Sequence, residues 1–136
     1  MGTPDERLYE YAVVRYVPRV DREEFVNIGL LMMCKRRKWL RGEIGLDETR
    51  LKAFDPLVNL ESLRAQASLF MRDDVPSRAI PVEERYRWLT AVKSAVLQLS
   101  PSHPGLLPVS GETEEASPEE ALDTEFNRLF RDLVSL

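Results

Sequence analysis

The side chains of this 136-residue chain that could do chemistry are few and scattered. Arg15 stands in an apolar run, where a guanidinium needs a carboxylate or several acceptors close by. Glu23 and Glu24 are the nearest candidates, and a short charged connection returns Glu24 to the start of the next apolar run, so the spacing predicts a sheltered Arg15–Glu24 ion pair. Asn27 and Gly29 interrupt that second run; glycine there admits another backbone or a ligand, or marks a bulge, and asparagine can satisfy main-chain groups at a break in the ladder. His103 is the only histidine, which rules out a histidine-based metal site within one chain and leaves a lone imidazole as a general base or a surface loop residue. If Arg15, Glu24, Asn27 and His103 converged, they would form the pocket of a nucleic-acid-acting protein, in the extreme a metal-dependent hydrolase. Aspartate and glutamate alone can hold magnesium, but no paired-carboxylate spacing marks such a site, and no metal or cofactor is assigned. Lys35, Arg36, Arg37 and Lys38 form the one basic run; with Trp39 and Arg41 beside them they read as a phosphate-contacting hairpin tip, or as a solvated turn whose charges blunt aggregation.

The balance of charge weighs against broad adhesion to nucleic acid or anionic lipid, since the net charge is −4 and the isoelectric point about 5.1. A 43% hydrophobic content over 136 residues suffices for one core, so one domain spanning 1–136 is expected. The single cysteine, Cys34, lies inside an apolar run and fits a reducing compartment as a small buried hydrophobe. No apolar leader follows Met1, and no run approaches the roughly eighteen residues that span a bilayer, so the expectation is a soluble cytoplasmic protein without a membrane partner.

The elements that must position these residues begin with a meander of strands between Tyr11 and Leu46. Strand-length apolar runs over about 9–17, 25–35 and 39–46 are separated by charged clusters. The second is apolar on both faces, which demands a central strand covered on both sides; the third alternates and is expected to be a wet-faced edge. Asp47 is placed to cap a short helix carrying Leu51 and Phe54, and Asp55-Pro56 to open a second reaching about Arg72 with Leu60, Leu63, Ala67, Phe70 and Met71 as its stripe. The stretch 73–81 reads as a loop, and Tyr86, Leu89, Val92, Val96 and Leu99 recur at helical spacing over 82–99. Residues 100–116 are irregular, with an edge strand expected at 105–109. Ser117-Pro118-Glu119-Glu120 is a capping box opening a last helix with Leu122, Phe126, Leu129, Phe130 and Leu133 inward. The fold class is therefore α+β: an antiparallel sheet of three or four strands from the N-terminal half, with one face covered by three to four helices.

Arg15-Tyr16-x-Pro18 followed by Arg22-x-Glu24-Phe25-x-Asn27-Ile28-Gly29 resembles the signature of an uncharacterised bacterial family of short proteins, a domain of unknown function often encoded beside HipA-like kinases. Ser100-Pro101 with the apolar segment after it, and the closing Leu129-Phe130 helix, are similar to that family's C-terminal half. Where the resemblance implies an arginine soon after Ser-Pro, the chain has His103. It implies an accessory role in a kinase operon and marks Arg15, Tyr16, Arg22, Glu24, Asn27 and Gly29, with His103, as the candidate cluster. Two readings follow: a non-enzymatic interaction module that binds or regulates a HipA-like kinase, and the nucleic-acid-acting protein described above.

Overall fold

The computed structural model describes residues 7–70, 80–91, 96–108 and 117–135. Its sheet is built on strand β1 (Leu8–Tyr16), which is flanked on one side by β2 (Val26–Cys34) and then β3 (Trp39–Ile44). On the other side two short strands, β4 (Leu97–Leu99) and β5 (His103–Leu106), pair with opposite ends of β1, all of them antiparallel. The helices are α1 (Glu48–Phe54), α2 (Leu60–Phe70), α3 (Val82–Thr90) and α4 (Pro118–Phe130), the last running on into a π-helical turn at Arg131–Ser135. The fold is thus α+β, with five strands where three or four were expected.

The two-faced apolarity of β2 is resolved by covering the sheet on both sides, which corrects the expectation of one covered face. Leu30, Met32 and Cys34 pack with Tyr9 and Val13 under Leu122, Phe126 and Leu129 of α4. On the opposite face Val26 and Ile28 meet Leu51 of α1 and Leu63 of α2, while Leu31 and Met33 meet Tyr86 of α3. Burying an aliphatic side chain contributes about 1.5–3 kcal/mol, so reversing either face of β2 would cost several such terms.

Local chemistry explains most element ends. Asp47 accepts from the Arg50 amide and caps α1, and Ser117 and Glu120 complete the capping box of α4. Helix α2 starts later than Asp55-Pro56 implied: Asp55 ends α1 and accepts from the Leu57 amide, and the carboxamide of Asn59 caps α2 by accepting from the Ser62 amide. The stripe residues Leu63 and Ala67 are buried as expected, whereas Met71 and most of the 73–81 stretch lie outside the described residues. The helix expected over 82–99 ends at Thr90, and Leu97–Leu99 becomes β4. The free edge of β1 takes these residues into a ladder: the Val17 amide donates to the Val96 carbonyl at 2.7 Å, and Ser100 exchanges bonds with Val13. A row of strand donors and acceptors outweighs the weak helical periodicity of Val92, Val96 and Leu99. The edge strand expected at 105–109 forms two residues earlier, as β5.

The β1–β2 register slips between Val14, opposite Gly29, and Arg15, opposite Asn27, leaving Ile28 as the extra residue of a β-bulge. Gly29 is required at that point. A Cβ there would lie 2.5 Å from Ile44 Cδ1 and 2.7 Å from the Glu43 carbonyl oxygen, which belongs to backbone and cannot step aside. Gly29→Ala is therefore expected to destabilise by about 1–3 kcal/mol, the usual cost of overpacking. Urea melts check it, and an unchanged midpoint would mean that the two strands separate freely.

Candidate functional site

Arg15, Tyr16, Asn27 and Gly29 gather at the bulged end of the first hairpin, and there they hold the chain to itself. Arg15 does not pair with Glu24. Its guanidinium lies over the ring of Phe25, 4.0 Å from the centroid, while Glu24 accepts from Arg22 at 2.6 Å in an exposed pair two residues apart. The misplaced expectation has a geometric cause: a 3-10 turn at Val20–Arg22 and a left-handed Glu23 turn Glu24 toward solvent, and Phe25 takes the place beside Arg15. A stacked guanidinium keeps part of its hydration, so no carboxylate is required.

Asn27 faces Arg15 across the ladder and donates from Nδ2 to the Leu133 carbonyl at 3.0 Å, tying the π-helical turn after α4 to the bulge. Arg50 performs the same service from α1, donating to the Val134 carbonyl at 2.6 Å. Asn27 Oδ1 and Arg15 Nε, an acceptor and a donor on register partners, are both buried without a partner among the described residues. The Tyr16 hydroxyl donates to Asp55 at 2.7 Å; burial, reinforced by this bond to an anion, pushes the phenol up to about 12, so it stays neutral in use.

His103 lies elsewhere. It stands opposite Tyr11 in β5, four residues along β1 from Arg15 and so about 13 Å away at strand spacing, exposed and in tilted contact with the Tyr11 ring, the centroids 5.4 Å apart. Arg15, Glu24, Asn27 and His103 therefore do not converge on one pocket. Among the described residues no group of three histidine, cysteine or carboxylate side chains is disposed to hold a metal ion.

The opposite end of the sheet is more open. Lys35–Lys38 form the β2–β3 turn, closed by the Lys38 amide donating to the Lys35 carbonyl, with Lys38 in the left-handed region. All four side chains are exposed, and only Lys35 has a counter-ion among the described residues, Glu83 of α3 at 3.5 Å. The two neighbours that would have completed a phosphate grip are engaged. Trp39 packs edge-on against Phe126, and Arg41 lies 4.2 Å over that same ring while binding Asp123, Glu43 and Asn127. Beside the turn a cleft of about 410 Å³ is lined by Leu8, Glu10, Met33, Lys35 and Arg36. Leu8 and its register partner Leu106 remain 45% and 50% exposed next to it. Ser102 fixes the Glu10 carboxylate by donating at 3.0 Å, and its hydroxyl also meets that of Tyr86 at 2.7 Å.

A family model described as a protein of unknown function (DUF3037) matches residues 11–134. The chain belongs to this family. No curated protein and no solved structure matches it. In this chain the bulged end of the first hairpin is a structural clasp in which Phe25 covers Arg15, Asn27 holds the end of α4, and Gly29 admits the third strand.

One polar cluster of this DUF3037 chain went unread in the sequence. Glu125, only 4% exposed, accepts from the Tyr9 hydroxyl at 2.6 Å and from two nitrogens of Arg128, both at 2.8 Å. Its signal was available, because Glu125 falls inside the stripe of Leu122, Phe126 and Leu129, where a carboxylate must find partners. Gly105 allows the geometry: a Cβ there would come within 2.6 Å of the Tyr9 ring. The hydrogen bonds from Arg128 hold the Glu125 carboxyl below its ordinary range, against the upward push of burial and with help from Tyr9. A depressed folded-state value contributes stability that is complete above the unfolded pKa, about 4.3, and is lost as pH falls through the folded one. Urea midpoints should therefore drop more steeply below about pH 4 in the wild type than in Glu125→Gln, with the difference modest because Arg128 is half exposed and screened. Parallel acid limbs would show that the trio contributes no linkage.

Proposed function

We propose that this protein is a non-enzymatic interaction module that binds a partner protein through the β2–β3 turn, with a HipA-like kinase as the first candidate partner. The observation that carries the reading is the juxtaposition, at one end of the sheet, of three exposed cations without counter-ions among the described residues and an exposed apolar pair, Leu8 and Leu106. A turn that served only to remain hydrated would not need an apolar surface beside it. Basic charge on a chain of net −4 also marks a patch where an acidic partner meets attraction rather than repulsion. The complementary occupant is an acidic segment of a protein that carries an apolar side chain into the cleft. The kinase assignment rests on the resemblance of the signature stretch, and the buried Cys34 suits the reducing cytoplasm in which such a partner works. Among the described residues no helix is long and apolar enough to cross a membrane.

The nucleic-acid reading is weakened because Trp39 and Arg41 are committed to α4, so the ring beside the basic turn is not free for a base to stack on.

Co-expression with a HipA-like kinase is the test. The two chains should co-elute from a sizing column, and Arg36→Glu with Arg37→Glu should weaken the complex about tenfold or more and reduce its salt dependence, without lowering the melting temperature. Leu106→Asp should do the same with the salt dependence intact. Separate elution at about micromolar concentration would contradict the reading. Salt-dependent binding of single-stranded nucleic acid, abolished by neutralising Lys35–Lys38, would replace it with the other.

A further inference from the structure

The two edges of the sheet are managed differently. On the β4–β5 side the strand is broken between Leu99 and His103, and Pro101 and Pro104 remove amide donors, the usual ways of blocking edge-to-edge pairing. The β3 edge has neither a break nor a proline: Trp39–Ile44 is continuous, its ladder to β2 is regular, and no strand among the described residues pairs with its outer side. A cleft of about 540 Å³, lined by Gly42, Ile44, Leu46, Arg64 and Ala67, opens alongside it toward α2.

The direction of the main chain along this edge is fixed. The Gly45 amide donates to the Ile28 carbonyl at 2.7 Å, so position 45 faces β2, and with it, by the two-residue period, 43, 41 and 39. The four-residue turn ending in left-handed Lys38 agrees, since it closes on Cys34 and Trp39 as a bonded pair. The amides and carbonyls of Leu40, Gly42 and Ile44 therefore point away from the sheet.

We infer that this edge pairs with the same edge of a second copy of the chain, antiparallel about a two-fold axis at Gly42. The edge would be self-complementary in three independent respects. A bonded ladder requires outward residues opposite outward residues, and centring on Gly42 sets Gly42 against Gly42 and Leu40 against Ile44, giving about six main-chain hydrogen bonds. On the face carrying Leu40 and Ile44, apolar side chains then meet across the axis. On the other face Arg41 stands opposite Glu43 of the second copy, twice. The neighbouring two-fold registers fail on charge: centring on Arg41 opposes two guanidiniums, and centring on Glu43 opposes two carboxylates. Opposite charges two residues apart thus select one register of self-association, with Arg41 keeping its contacts to Asp123, Asn127 and the Phe126 ring and Glu43 of each copy turning from the Arg41 of its own chain to that of the other. The inference is independent of the partner-binding reading, which uses the turn rather than the edge.

Sedimentation equilibrium of the full chain tests it. The wild type should reach twice the 15.7 kDa chain mass at about 100 µM, with amide exchange at Leu40, Gly42 and Ile44 slowing as concentration rises. Glu43→Arg, which sets guanidiniums against each other, should leave a folded monomer with an unchanged circular dichroism spectrum. Gly42→Pro, which removes an outward donor and no β2 bond, should also be monomeric and separates edge pairing from any effect of charge on folding. A wild type that stays monomeric at that concentration overturns the inference, even if the three amides become protected on adding a partner protein, because the edge would then receive a foreign strand. Dimers that survive both Glu43→Arg and Gly42→Pro overturn it as well, since another face would be responsible.

Discussion

Strand β2 imposes the constraint from which the rest of the structure follows. Its residues from Val26 to Cys34 are apolar on both faces apart from Asn27 and Gly29, so it must lie inside the sheet with a layer on each side. Those two layers come from segments far apart in sequence: α1, α2 and α3 on one face, α4 on the other. The two exceptions mark where the layers are joined. Gly29 lets β3 approach at the bulge, and Asn27 reaches the carbonyl at the end of α4. The packing demanded by one strand thus sets both the order of the sheet and the anchorage of the last helix.

Much of this was legible in the sequence because it depends on short-range chemistry. The three long strands, the Asp47 cap and the Ser117 capping box are each written in a few adjacent residues and appear where expected. What could not be read depends on partners distant along the chain. Leu97–Leu99 carries a helical spacing, yet β1 presents an unpaired row of main-chain groups and draws it into a ladder. Asp55 looks like the start of a helix because proline follows it, but the Tyr16 hydroxyl from β1 and the Leu57 amide claim its carboxylate, and Asn59 is left to cap.

The candidate site was legible in composition and not in arrangement. Residue types marked Arg15, Glu24, Asn27 and His103 as unusual, and each is unusual in the structure, but for separate reasons: a stacked cation, a surface pair, a helix tie and a ring contact. Sequence spacing predicts that two charges are near each other and not which way a turn presents them, and one left-handed residue at Glu23 was enough to separate Arg15 from Glu24. The Tyr9–Glu125–Arg128 trio shows the converse. Its members lie at opposite ends of the chain, and only a carboxylate inside an apolar stripe announced it.

We propose that Arg15, Asn27 and Gly29 hold the architecture while recognition belongs to the exposed turn. Asn27→Asp separates the two, since it is nearly isosteric but replaces the donor to the Leu133 carbonyl with a repelling oxygen. Measured at pH 7 in denaturant, with capture of the proposed partner followed on the same sample, the variant should lose about 1–3 kcal/mol of stability and, below its unfolding transition, bind with wild-type affinity. Wild-type stability combined with lost binding would contradict it, and would make Asn27 a residue of recognition rather than of structure.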